Sequence, residues 1–135
     1  MEPVLTIRQP WASAIFVGGK DVENRKQRTH YRGRLWIQAS VFASRTAPDR
    51  WGVLHDIWLP DEPLARGVIL GSVELVDCVE DSDSVWALPG HFQLLLRRPL
   101  LLKRPVPHSG SLTFSWRRPP QGQLVRARRA RMSYR

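Results

Sequence analysis

Apolar and polar positions along the chain fall into short runs separated by proline, glycine and charge. "VLTIR" (residues 4–8) has the two-residue period and β-branched content of a strand. In "QPWASAIFVGG" the period changes, with Trp11, Ala14 and Ile15 recurring at i, i+3 and i+4. Pro10 suits a first helical turn, where its missing N–H costs nothing, and Gly18 or Gly19 suits the left-handed position after the helix. A helix of about two turns is predicted. "GRLWIQAS" (33–40) puts Leu35, Ile37 and Ala39 on one side and Arg34, Trp36, Gln38 and Ser40 on the other, a half-buried strand.

The strongest strand signal is "GVILGSVELVDCVE" (67–80). Ile69, Val73, Leu75 and Val79 make its apolar face, and Gly71 permits a bend or bulge. Between these strands, residues 41–66 read as one helix near 47–58 and a proline-bounded loop. "HFQLLLRRPLLLKRPVP" (91–107) reads as a hairpin-like or sharply bent strand pair with Pro99 at a strand start, and "GSLTFSW" (110–116) as a last strand. Many short strands with few helices predict an α+β fold, a small mixed, mainly antiparallel β-barrel with two or three short flanking helices, closed so that no edge is exposed. Residues 1–116 form that domain. Residues 117–135, with seven arginines, are read as a mobile basic tail, helical from about 123 when bound.

At 135 residues and 42% hydrophobic content, with six tryptophans, the chain has enough for one core. No stretch approaches the roughly 20 apolar residues of a membrane span, and Arg8 and Pro10 interrupt the early apolar run that a signal peptide would need. The single cysteine, Cys78, fits a reducing, cytoplasmic setting and reads as a buried inert thiol. His30, His55, His91 and His108 show no metal-ligand spacing, so neither a metal nor another cofactor is expected.

Charge adds a partner. All twelve acids lie in residues 1–83, where ten basic residues leave −2, while residues 84–135 carry eleven basic residues and no acid. Such an excess points to a polyanion such as nucleic acid, the other reading being a soluble domain with a basic tail.

Candidate chemistry gathers around the first helix. Lys20, Glu23 and Arg25 follow it, and in an extended "VENR" Glu23 and Arg25 share one face. A Lys–Glu pair three apart is either a structural ion pair or, in a pocket, an activated amine with an acid/base partner. Trp11 is either a core anchor or a plate on which a base stacks. Asp77 falls on the otherwise apolar face of its strand, so it needs a partner or opens into a pocket. Ser40 ends its strand with a small hydroxyl.

Taken together, "LTIRQPWASAIFVGGKDVENR", "YRGRLWIQAS", "ILGSVELVDCV" and "RPVPHSGSLTF" resemble the ASCH domain family of PUA-like β-barrels over about residues 4–116. The resemblance implies a PUA-like barrel with a cleft beside the first helix, in a superfamily that handles RNA or modified bases. It places Lys20, Glu23 and Arg25 in the cleft, Trp11 at its lip and Ser40 nearby. The expected function is a nucleic-acid-binding module for RNA or single strands, with a base or nucleoside in the cleft, acting as a monomer or weak dimer. Gln9, Trp11, Arg25, Ser40 and Asp77 would bind the ligand, while Arg28, Arg32, Arg34, Arg97, Arg98, Arg117 and Arg118 would meet backbone phosphates. The alternative is an enzyme, a ribonuclease or an amidohydrolase of an acylated nucleoside, with Lys20 and Glu23 catalytic. In the amidohydrolases of the family a threonine stands where this chain has Glu23, and a carboxylate does not replace an attacking hydroxyl.

Overall fold

The computed structural model describes residues 1–43, 64–110 and 113–127. In chain order these form β1 (Glu2–Gln9), α1 (Trp11–Val17), β2 (Val22–Arg25), β3 (Gly33–Ala43), β4 (Val68–Val79), β5 (Phe92–Pro107), β6 (Phe114–Arg117) and β7 (Leu124–Arg126). All seven strands join one sheet in the order β2-β5-β4-β3-β1-β6, with β7 attached to β5. The β1–β3 pair is parallel and the others antiparallel.

The expected closed barrel is corrected: the sheet is open, with β2 and β6 at its ends. Its edges are blunted by shortness, four residues each, rather than by closure. Among the described residues α1 is the one helix; the helix expected near 47–58 lies outside them. The helix is also buried nearly all round, because Ala12, Ala14, Ile15 and Phe16 all enter the core.

Both faces of the sheet are covered, which overturns the half-buried reading of β3. Leu35, Ile37 and Ala39 pack with Ile15 and Phe16 of α1, and with Leu5, Val73, Leu75 and Leu94. The opposite face has its own cluster of Val4, Trp36, Ile69 and Leu102, with Val106 and Leu124 against it. The cover is the distal half of β5 together with β7, and it leaves Trp36 only 1% exposed.

That cover comes from one long strand. Residues 92–107 are a single sixteen-residue β5 rather than a strand pair, and bulges supply the bend. The basic tail read from residue 117 is likewise corrected over its first part. Arg117 belongs to β6, Pro120 is buried, and Leu124–Arg126 pair with Leu100–Leu102. Gly71 lies where the β5 backbone at Leu100 and Leu101 leaves no room for a Cβ. Beside it Leu70 is the extra residue of a bulge, since Ile37 pairs with Gly71 but Gln38 with Ile69. A second bulge, at Val76, shifts the phase again. Ile69 and Leu75 therefore end on opposite faces, and Asp77 turns outward while Cys78 turns in.

Candidate functional site

The end of α1 sets the position of Lys20. Gly19 adopts φ +70°, and the Ala14 carbonyl accepts from both the Gly18 and the Lys20 N–H. The Lys20 side chain then folds under β2 and is 2% exposed. Its Nζ donates to the Val22 carbonyl and, at 2.9 Å, to Glu23 Oε1. The other carboxylate oxygen of Glu23 lies 3.7 Å from Arg25 Nη1. Period-two geometry puts Glu23 and Arg25 on one face of β2, and the helix-terminal turn delivers Lys20 to them. The structure thus assembles the three charged residues read from the sequence, with Glu23 as the bridge.

The free side of β2 is held by the 82–88 loop. Asn24 donates to the Trp86 carbonyl and accepts from the Leu88 N–H, both at 2.9 Å, while Ser84 Oγ donates to Asp21 at 2.6 Å. Trp86 is buried with Ala14 and Val22, and Trp11 packs half-buried against that cluster. The sequence left Trp86 open between a core anchor and a stacking plate and did not place it, or Asn24, beside β2. The available signal was Trp86 itself, a large apolar residue inside an otherwise polar connection.

A cavity of about 180 Å³ opens beside Lys20, lined by Ile15, Gly19, Lys20, Asp21, Val73, Leu96, Arg97 and Pro99. Of the expected site residues only Lys20 and Arg97 line it. Gln9 is buried and committed elsewhere. Its Oε1 accepts from the Ser13 N–H, supplying a cap that Pro10 lacks, and its Nε2 donates to Ser13 Oγ and the Ala65 carbonyl. Ser40 alternates with the core-facing residues of β3 and accepts from the Phe42 N–H at 3.1 Å. Asp77 does not sit on a core face: its side chain is 55% exposed and pairs with Arg32 at 3.3 Å. The carboxylate that needed a buried partner is satisfied at the surface.

The expected phosphate-binding arginines divide into two groups. Arg34 makes a bidentate contact with Glu2 at 2.6 and 2.8 Å, and its guanidinium lies over Trp36, whose indole N–H also donates to Glu2. These bonds hold the Glu2 carboxyl below its ordinary range, the Arg34 hydrogen bond being the largest cause. Arg28 lies over Phe92 and 3.6 Å from Glu80, and Arg32 pairs with Asp77. Arg117 donates to His108 Nδ1. Arg97, Arg98 and Arg118 are exposed and form no ion pair among the described residues.

A second polar cluster lies on the face away from α1. Thr6 Oγ1 donates to Gln38 Oε1 at 2.8 Å, and Gln38 Nε2 donates to the His108 carbonyl. Because a guanidinium only donates, His108 Nδ1 is the acceptor from Arg117, and its Nε2–H points to Ser115 Oγ at 3.3 Å. Burial, and then the Arg117 charge, push the His108 pKa down. The unfolded chain therefore binds the proton more readily than the folded one, and folding stability falls as pH drops below the ordinary histidine value near 6.5. Urea midpoints of the wild type are expected to fall more between pH 7.5 and 5.5 than those of His108→Gln. Equal falls would count against the assignment. Glu2 titrates at lower pH and does not enter that window.

Among the described residues no group of three or more His, Cys, Asp or Glu is placed to hold a metal ion, and no helix is long and apolar enough to cross a membrane. The ASCH domain profile matches residues 5–93. The chain belongs to the ASCH domain family. ASCH domains generally bind RNA. The match begins within β1, takes in α1, the Lys20–Glu23–Arg25 cluster and β2 to β4, and ends as β5 begins. The chain is also similar to Activating signal cointegrator 1 from Homo sapiens and from Mus musculus, with 37% identity over 84 residues in each case. That similarity covers 56% of this chain and 14% of the relatives, so this ASCH domain spans a small part of their length.

Proposed function

We propose that this ASCH domain is a nucleic-acid-binding module for RNA or single strands, and that a base or nucleoside enters beside α1 and β2. One observation carries the reading: a buried carboxylate, Glu23, is held between Lys20 at 2.9 Å and Arg25 at 3.7 Å, next to a cavity walled by Lys20 and Arg97. A carboxylate fixed in this way accepts hydrogen bonds from an exocyclic base amine, and neighbouring cations meet carbonyl or phosphate oxygens. The family's general RNA binding and the +9 charge point the same way. Binding is favoured over hydrolysis because Lys20 Nζ is already committed to the Val22 carbonyl and the Glu23 carboxylate.

Fluorescence anisotropy with a short labelled single-stranded RNA tests the proposal. Affinity is expected to fall with added salt, with a log–log slope of about 0.7 per phosphate contacted. Arg25→Ala is expected to weaken binding, and neither RNA nor an acylated cytidine should be turned over. Failure to bind, or a hydrolysis that disappears in Lys20→Met at unchanged affinity, would overturn the reading.

A further inference from the structure

In the β4–β5 ladder Arg97 pairs with Glu74 and Leu100 with Ser72, so Arg98 and Pro99 together oppose the single residue Val73. This is a β-bulge, and its first residue has φ +52°. Glycine is the ordinary occupant of that conformation, because a Cβ there crowds the following carbonyl. Arg98 is the one non-glycine residue with positive φ among the described residues. The bulge also changes where the side chain goes. Leu94 and Leu96 are buried, and uninterrupted alternation would send residue 98 inward after them. Instead Arg97 and Arg98 are both exposed, at consecutive positions of the strand.

Neither of these charges is held in an ion pair among the described residues. Glu74 stands opposite Arg97 but closes no ion pair with it, and Arg98 has none among the described residues. Arg28, Arg32 and Arg34, by contrast, each hold a carboxylate. Arg97 and Pro99 form part of the wall of the Lys20 cavity. Asp21, the acid in that wall, accepts from Ser84 Oγ.

The geometry points to the Arg97–Arg98 bulge as a phosphate clamp. The two arginines, consecutive in the chain and both exposed, receive one phosphodiester of a single strand at the rim of the cavity, where planar donor forks match phosphate oxygens. The inference rests on the nucleic-acid reading above and, of the seven arginines expected to meet phosphates, singles out the two on β5.

Arg98→Gly separates backbone from charge, because glycine suits the bulge. Its melting temperature is expected to equal or exceed that of the wild type. Its affinity for a labelled single-stranded RNA is expected to fall by about threefold to tenfold at low salt, with the log–log salt slope shallower by about 0.7. Arg97→Gln, at a position without the unusual φ, is expected to give the same loss. Unchanged affinity and slope in both variants, with the wild type binding RNA, would overturn the clamp and leave the cleft reading standing. No RNA binding by the wild type would overturn both. A melting-temperature rise with inorganic phosphate alone, lost in Arg98→Gly and unaccompanied by RNA binding, would assign the pair to a free phosphate and overturn the proposed partner. A marked fall in the melting temperature of Arg98→Gly would overturn the argument from backbone strain.

Discussion

Gly71→Ala is expected to destabilise the domain by at least about 3 kcal/mol, the upper range for forcing atoms into a packed interior. A Cβ at this position would run into the Leu100 carbonyl oxygen and come within 2.9 Å of the Leu100 carbonyl carbon and the Leu101 Cα. These are backbone atoms of the paired strand, so no side-chain rotation relieves the clash. Either β5 retreats, weakening the ladder that carries the Val4–Trp36 cluster's cover, or the chain does not fold. With a total stability on the order of 5–15 kcal/mol, a loss of this size lowers the melting temperature by roughly 10 °C or more. Near-ultraviolet circular dichroism during heating reports it through the buried Trp36. A shift smaller than about 3 °C would mean that the crossing at Gly71 is not tight.

The second large effect belongs to Lys20. Lys20→Met keeps most of the stem and removes the ammonium, leaving the Val22 carbonyl without that donor and Glu23 with Arg25 at 3.7 Å as its ion-pair partner. Breaking a buried pair from one side costs about 3 kcal/mol, much of it the penalty of the charge left behind. Replacing both partners, as in Lys20→Met with Glu23→Leu, is expected to recover most of that loss, since an apolar pair of similar volume often matches a buried ion pair. RNA affinity should not return with it. Urea unfolding and anisotropy on the same three proteins decide the matter. If the double variant is as unstable as the single, the pair is not the unit described; if it binds RNA like the wild type, Glu23 is not a ligand-facing group.

Much of the candidate site was legible because it depends on local geometry. The Pro10–Gly19 helix signals, the two-residue spacing of Glu23 and Arg25 and the apolar set Leu35, Ile37 and Ala39 each follow from dihedral preferences within one element. What failed was long-range. Two bulges in β4 reset the alternation, so the inward place assigned to Asp77 went to Cys78. Trp36, Gln38 and Ser40 read as a solvent face because their cover arrives roughly sixty to ninety residues later, from β5 and β7. The single β5 was hidden by "RRP", where proline suggested a break and the chain instead absorbs two residues in a bulge. Arg34 shows the same limit in charge space: its partner Glu2 is thirty-two residues away and pairs only because β1 lies beside β3.

The placement of β1 also governs the order in which the domain can be built. Its neighbours are β3 on one side and β6, residues 114–117, on the other, so the first strand of the chain is completed by almost the last. A nascent chain emerging from a ribosome therefore cannot complete the pairing of β1 until residue 117 has cleared the exit tunnel. Until then the Val4 and Leu5 strand has one open edge, a site for pairing with another chain. Such distant pairings slow folding to the millisecond-to-second range of β-rich domains, and truncation within β6 should yield aggregation rather than a smaller folded unit.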